Sequence, residues 1–357
     1  MKVRENCKYG IAVPTSMGVR ICPPNGAPVH ISNNFYMHAT SAESNAVNIS
    51  SSLGIKGLVL TNFVKDSPIS SFIKSELRRR NINYYGPDIP QGGPWGYRHQ
   101  FNIADSGFGT RGPRVHNDRA GEVGQVLNSK DFDFDRIFGE EGVQILHLSG
   151  LVGALSPDTT RFCLDAVQAA KKYCTLVSFD LNHRASFWEG REVELRKDFT
   201  EMVSKTDIII GNEEDYQLSL GIEGPEHGGK DLSTQIENFK EMIISVKKAF
   251  PNASVFGNTL RQVISVNEHM WGALSLFGDE LTVIEPKPIQ ILDRLGGGDG
   301  FSGGLLYGIL TGMTPEKATQ FGWASGALAT TFLEDYATPA DEEMVWSIVK
   351  GNARIKR

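Results

Sequence analysis

Between Ile291 and Leu305, three consecutive glycines, Gly296, Gly297 and Gly298, precede Asp299 at the point where a strand-like run gives way to a helical one. Three residues without side chains let the backbone turn sharply and aim several N–H groups at one point, and a helix start adds partial positive charge. Such a turn is an anion hole. Phosphoryl transfer needs donors for the charge spread over the transferring oxygens, and a carboxylate to orient the attacking hydroxyl and accept its proton. Asp299, at the mouth of the turn, is placed for that task. The same spacing equally fits an aspartate that caps a helix after a flexible loop, so these residues alone leave both roles open.

The run Asp293, Arg294, Leu295, Gly296, Gly297, Gly298, Asp299 resembles the C-terminal signature of the ribokinase (PfkB) superfamily, D-T-x-G-A-G-D. Its Arg-x-Gly-Gly-Gly-Asp form is similar to that of 2-keto-3-deoxygluconate kinases. Three further segments resemble the same subgroup: Val177 to Trp188, Gly211 to Leu218, and Asn258 to Arg261. The likeness is strong from about Val143 onward and weaker before it.

The resemblance implies an α/β fold, a ribokinase-like three-layer α/β/α sandwich with a mostly parallel central sheet and a small β lid. It implies a sugar-acid kinase using ATP and Mg²⁺. Asp299 would be the general base, and the amides of Gly296, Gly297 and Gly298 the anion hole. Arg184 would reach the carboxylate of the sugar acid, where a planar guanidinium can form two parallel bonds. Asp180 and Asn182 would shape the loop. Asn212 and Asp215 fall on the family's N-x-x-E motif, which organises Mg²⁺ and ATP phosphates; Asp215 replaces the usual Glu and could hold the ion through water. Thr259 and Arg261 would lie near the nucleotide phosphates. A homo-oligomer, dimer or higher, is implied because lid strands in this family often form a subunit interface.

The N-terminal part departs from that pattern. Asn45 is present, but Thr40 and Ser41 stand where the family has glycines, so side chains occupy a wall of the sugar pocket. The opening strand reads Thr15, Ser16, Met17, Gly18, Val19, Arg20, Ile21 and keeps only the arginine of the family's run, with Ser16 facing the pocket in place of a carboxylate. Tyr97 and Arg98 resemble the family's aromatic and polar substrate contacts. Arg114 and Arg119 read as stiffening a lid strand rather than touching substrate.

The elements that must position these groups alternate. Apolar runs at Leu58 to Asn62, Val143 to Leu148, Thr175 to Asp180, Asp207 to Ile210 and Ala253 to Asn258 read as buried strands. Amphipathic stretches between them, such as Pro157 to Tyr173 with Ser156 as cap and Ile236 to Phe250, read as helices. This alternation predicts βαβ units and a parallel sheet. Gly- and Pro-rich stretches within about 11–31 and 87–126 read as the lid, inserted in one domain spanning 1–357.

With 357 residues the chain can bury a large core, and its 40% hydrophobic and 22% charged residues are those of an ordinary globular protein. A net charge of −6 argues against a nucleic-acid partner. No apolar run marks a leader or a membrane span, and Cys7, Cys22, Cys163 and Cys174 show no metal or disulfide spacing, so a cytoplasmic setting is expected. Gly224 to Asp231 nearly spells a P-loop but ends in Asp where Ser or Thr must bind Mg²⁺. His147, His183 and His269 read as structural, and Trp188, Trp271, Trp323 and Trp346 as packing. No G-x-G-x-x-G follows the first strand, which disfavours an oxidoreductase. Three readings remain: a 2-keto-3-deoxygluconate kinase, a kinase of another sugar such as fructose, and a catalytically weak sugar- or nucleotide-binding protein on the same fold.

Overall fold

Residue-by-residue alternation explains how one sheet separates two hydrophobic layers. In the strand Val143–Ser149, Ile145 packs on one face while its neighbours Leu146 and Leu148 pack on the other. The computed structural model describes residues 2–226 and 232–351. Among them, nine strands form the central sheet in the order Glu280–Gln290, Glu268–Phe277, Val255–Ser265, Ile208–Gly211, Leu176–Asp180, Val143–Ser149, Tyr9–Pro14, Gly57–Leu60, Ile82–Tyr85. The seven strands from Val255–Ser265 to Ile82–Tyr85 are parallel, and the other two add an antiparallel edge.

One layer is built on Leu58, Leu146, Phe162 and Phe179, with the helix Pro157–Lys172. The other is built on Ile11, Val13, Val59 and Ile145, with the helices Ala42–Ser52, Gly297–Leu310 and Pro315–Ala329. The expected α/β/α sandwich is thus present. The helix Pro157–Lys172 begins as its sequence dictates: Ser156 accepts from Thr159 N–H, Thr159 reciprocates, and Pro157 occupies the first turn.

Strand order reverses at Tyr9–Pro14. The chain runs outward from it to Ile82–Tyr85, then returns to its other side at Val143–Ser149 and continues to Val255–Ser265. At such a reversal the connections leaving the carboxyl ends diverge and open a crevice, the usual ligand position in doubly wound sheets.

A four-stranded sheet overhangs that crevice, in the order Tyr36–Thr40, Gly18–Cys22, Gln100–Asp105, Arg114–Asp118. The bounds 11–31 and 87–126 need correction. Residues Tyr9–Pro14 form an interior strand of the large sheet, because this run is buried at every position, and Tyr36–Thr40, beyond the expected segment, completes the small one. Asp88–Ile89 instead pairs with Phe63–Val64. The strand begun at Val255 also outruns its expected end at Asn258, because its polar second half pairs with Glu268–Phe277 beyond the core. Of the near-P-loop stretch, residues 227–231 lie outside the described residues.

What ties the small sheet to the rest is Arg20, 0% exposed, which pairs with Asp293 at 2.5 Å and with Asp335. Ser106 donates to Asp293 at 2.5 Å, and Thr40 donates to Asp335 at 2.9 Å. Removing the guanidinium alone leaves two buried carboxylates without their cation. Arg20→Met is therefore expected to lose about 3–5 kcal/mol in urea unfolding. Adding Asp293→Asn and Asp335→Asn to that variant should recover much of the loss. A loss below 1 kcal/mol, roughly the worth of a surface pair, would show that the cluster holds nothing together.

Candidate active site

The helix Gly297–Leu310 starts at a turn that only glycine can make. Gly296 has φ +80°, and a Cβ there would lie 1.8 Å from the carbonyl oxygen of Asp335. Around Gly298 a Cβ would meet nothing within 4 Å, so bare backbone faces open space. The first intrahelical bond is Gly300 N–H to Gly296 carbonyl, which leaves the earlier N–H groups free for an outside acceptor. These groups line a cavity of about 750 Å³ between the carboxyl ends of the large-sheet strands and the small sheet.

Asp299 lies in the first turn of that helix and also lines the cavity. Asn45 Nδ2 donates to its Oδ2 at 2.9 Å. Burial pushes the Asp299 carboxyl well above the usual carboxylate range; the Asn45 bond opposes this, and the nearby charge of Asp180 adds to it. Asp180, at the end of Leu176–Asp180, accepts from Ser302 at 2.8 Å and is pushed up to about 7, chiefly by burial and then by Asp215. Arg184 draws all three carboxyls, Asp180, Asp215 and Asp299, back toward ionisation. The cavity thus places one candidate base with a raised pKa beside an amide-lined turn.

Thr259 and Arg261 alternate along one strand and both line the cavity. Burial lowers the pKa of Arg261, and the charges of Arg294 and Arg184 add to the effect, although Glu213 partly offsets it. Arg294 also lines the cavity, and sequence reasoning missed it. Its signal was visible, since a cation stood inside the glycine motif. Among the described residues, neither Arg261 nor Arg294 makes an ion pair with a carboxylate. Two such guanidinium groups beside an amide-lined turn fit a polyphosphate.

Asn212 and Asp215 form a reciprocal cap at the start of the helix Glu213–Leu220. Asp215 accepts from Asn212 N–H at 2.9 Å and from His183 N–H at 2.8 Å. Each oxygen accepts from a backbone donor, so Asp215 also pins the Arg184 loop to this helix. Any contact with Mg²⁺ is left to its remaining lone pairs through water, and among the described residues no cluster of three metal-ligating side chains occurs. A cation here would be held mainly by phosphate oxygens and water, which the donor set permits.

On the small-sheet side, Ser16, Thr40, Ser41 and Asn45 all line the cavity as expected. Their hydroxyls are largely committed to the protein. Ser16 donates to Glu122 at 2.5 Å, Thr40 to Asp335, and Ser41 caps the helix Ala42–Ser52. Tyr97 and Arg98 do not line the cavity, and their expected substrate role is corrected: Arg98 is held by Asp118 and by the Ala120 carbonyl at 2.6 Å. The strand starts at Gln100, and its Gln100 and Asn102 line the cavity. Arg119, expected to be structural, does line the cavity, while bonding Glu122 at 2.8 Å and lying 5.2 Å from the Phe187 ring.

The pfkB family carbohydrate kinase profile matches residues 133–339, more than half of the chain. A 2-dehydro-3-deoxygalactonokinase of Haloferax volcanii is 24% identical over 344 residues, 95% of this chain and 96% of that protein. A 5-dehydro-2-deoxygluconokinase of Clostridium perfringens is 26% identical over 213 residues, 59% of this chain but only 55% of that protein. Among solved structures, a 2-dehydro-3-deoxygluconokinase from Thermotoga maritima superposes with TM-score 0.86 at 24% identity, covering 96% of this chain and 98% of that one. A putative 2-keto-3-deoxygluconate kinase from Enterococcus faecalis gives 0.83 at 23%, covering 98% and 99%. These structures share the fold.

A raised carboxyl pKa links to stability with a definite sign. The folded value of Asp299 lies above the unfolded one, so its contribution is complete below about pH 4 and is lost as pH rises through the folded value. Asp299→Asn removes the partly desolvated charge. Its unfolding midpoint should exceed that of the wild type at pH 7–8, and the gain should vanish near pH 4. A gain that does not change with pH would contradict desolvation of an ionising Asp299.

Proposed function

Because the chain belongs to the pfkB family of carbohydrate kinases, we propose that it is an ATP-dependent sugar-acid kinase, moving the γ-phosphoryl of ATP to the terminal hydroxyl of 2-keto-3-deoxygluconate or a close relative. The observation that carries this reading is the half-buried Asp299, held by Asn45 at an amide-lined helix start beside the cavity. The names of the full-length relative from Haloferax and of the Thermotoga structure point to the same substrate class.

In this reading the acceptor hydroxyl donates to Asp299, which takes the proton as the new oxygen–phosphorus bond forms and ADP departs. The N–H groups of Gly297 and Gly298 meet the charge on the transferring oxygens, and Arg261 and Arg294 meet the polyphosphate. Asn45 holds Asp299 at a fixed angle. Mg²⁺, bound by the phosphates and reaching Asp215 only through water, would neutralise charge between the phosphates. Arg184, at the cavity wall, takes the acceptor carboxylate, and Asp215 keeps its loop in place.

A second reading keeps the chemistry and changes the acceptor. It is favoured by the side chains of Thr40 and Ser41, which fill a wall that is bare in the family pattern. The homo-oligomer belongs to the same proposal, with exposed Phe35, Tyr36 and Met37 as available apolar surface.

Asp299→Asn should leave ATP affinity within twofold, by calorimetry, and lower turnover by roughly 10² or more, the usual share of a general base. Unchanged turnover would remove Asp299 from the mechanism. Arg184→Ala should weaken sugar acids far more than neutral sugars in steady-state kinetics. Equal losses for both would make Arg184 a structural residue.

A further inference from the structure

The small sheet presents a row of carboxamides to the cavity. Gln100 and Asn102 are two apart on one strand and so share a face, and Asn117 lies directly across from Asn102 in register. Gln100 is 4% exposed, yet its Oε1 has no hydrogen-bond partner, and neither does the buried Oδ1 of Asn102. An unpaired buried acceptor costs about 1–3 kcal/mol, so both side chains stand ready for an outside partner. Gly18, opposite Gln100 in register, makes room for it: a Cβ there would lie 2.2 Å from Gln100 Cγ.

We infer that Gln100, Asn102 and Asn117 form a hydroxyl-reading wall that selects acceptors by their mid-chain hydroxyls. The inference rests on the sugar-kinase reading and narrows its substrate class to polyhydroxylated chains. A carboxamide presents an acceptor at one end and donors at the other, and a hydroxyl both donates and accepts, so it pairs with either end. Carboxylates and phosphates only accept. Their partners are the arginines of the cavity, and Arg119, next on this face, already bonds Glu122 at 2.8 Å. The wall therefore takes the uncharged middle of the acceptor, while Arg184 takes its acid end. A site built to bond a hydroxyl rejects the analogue lacking it, because its own polar groups are then left unpaired.

The test compares 2-keto-3-deoxygluconate with its 3,4-dideoxy analogue, which lacks only the C4 hydroxyl, in wild type, Asn102→Leu and Asn117→Leu. Asn117 is exposed at the rim, so its variant keeps the fold even if the other does not. The wild type is expected to favour the hydroxylated acid in kcat/KM, and either variant to shrink that preference about tenfold or more, with KM for ATP within twofold. A preference that survives both substitutions overturns the wall. Calorimetric binding of the same pair is measured in parallel. Should the wild type turn over neither acid, a binding preference abolished in the variants supports the wall while the kinase reading fails, and equal binding in all three proteins overturns it.

Discussion

One buried guanidinium holds the site together. Arg20 sits on the small sheet, Asp293 opens the segment that becomes the glycine turn, and Asp335 lies beyond the helix Pro315–Ala329. Three remote stretches of chain meet at one cation, with Ser106 and Thr40 adding further bonds from the small sheet. The backbone of Asp335 also packs where a side chain at Gly296 would stand, so the same contact that pairs Arg20 shapes the anion hole. A buried ion cluster adds little net stability compared with an apolar one of equal volume. What it adds here is geometry, since charge pairing admits few alternative registers between the small sheet and the turn.

Around that anchor, charges of both signs are separated within one cavity. Three carboxyls, buried Asp215 and half-buried Asp180 and Asp299, line the same cavity, and each is raised mainly by loss of water. Arg184, Arg261 and Arg294 face the same space. An anion entering among the arginines relieves their mutual repulsion, and a hydroxyl presented to Asp299 meets a carboxylate with a strong appetite for a proton. Low dielectric strengthens both effects, which is why the crevice at the strand reversal, covered by the small sheet, is the useful place for them.

Much of this was legible in the sequence where the signal was local. The glycine turn, the cap at Ser156, the parallel strands and the positions of Asp299, Asn45, Arg184 and Arg261 all follow from short patterns. The pattern misled where context decides. Tyr9–Pro14 looks like turn-rich surface because it contains Gly10 and Pro14, yet it is an interior strand of the sheet, where the strand order reverses. Tyr97 and Arg98 precede the strand that faces the cavity, which begins at Gln100. Asp215 lines the cavity as expected, and its added role of holding the His183 backbone depends on a contact 32 residues away that no local pattern shows. Asp335 could not be found locally at all, because its partners lie hundreds of residues away.

The account stands on Asp299 acting as a base whose ionisation Asn45 supports. Its most direct test is the pH dependence of kcat for Mg-ATP-driven phosphorylation in the wild type and in Asn45→Leu. Loss of the Asn45 donor removes the bond that favours the ionised carboxylate. The acid limb, along which activity rises as Asp299 loses its proton, should therefore move to higher pH in the variant. A lower but unshifted profile would show that Asn45 acts only through structure and that Asp299 is not the group being titrated.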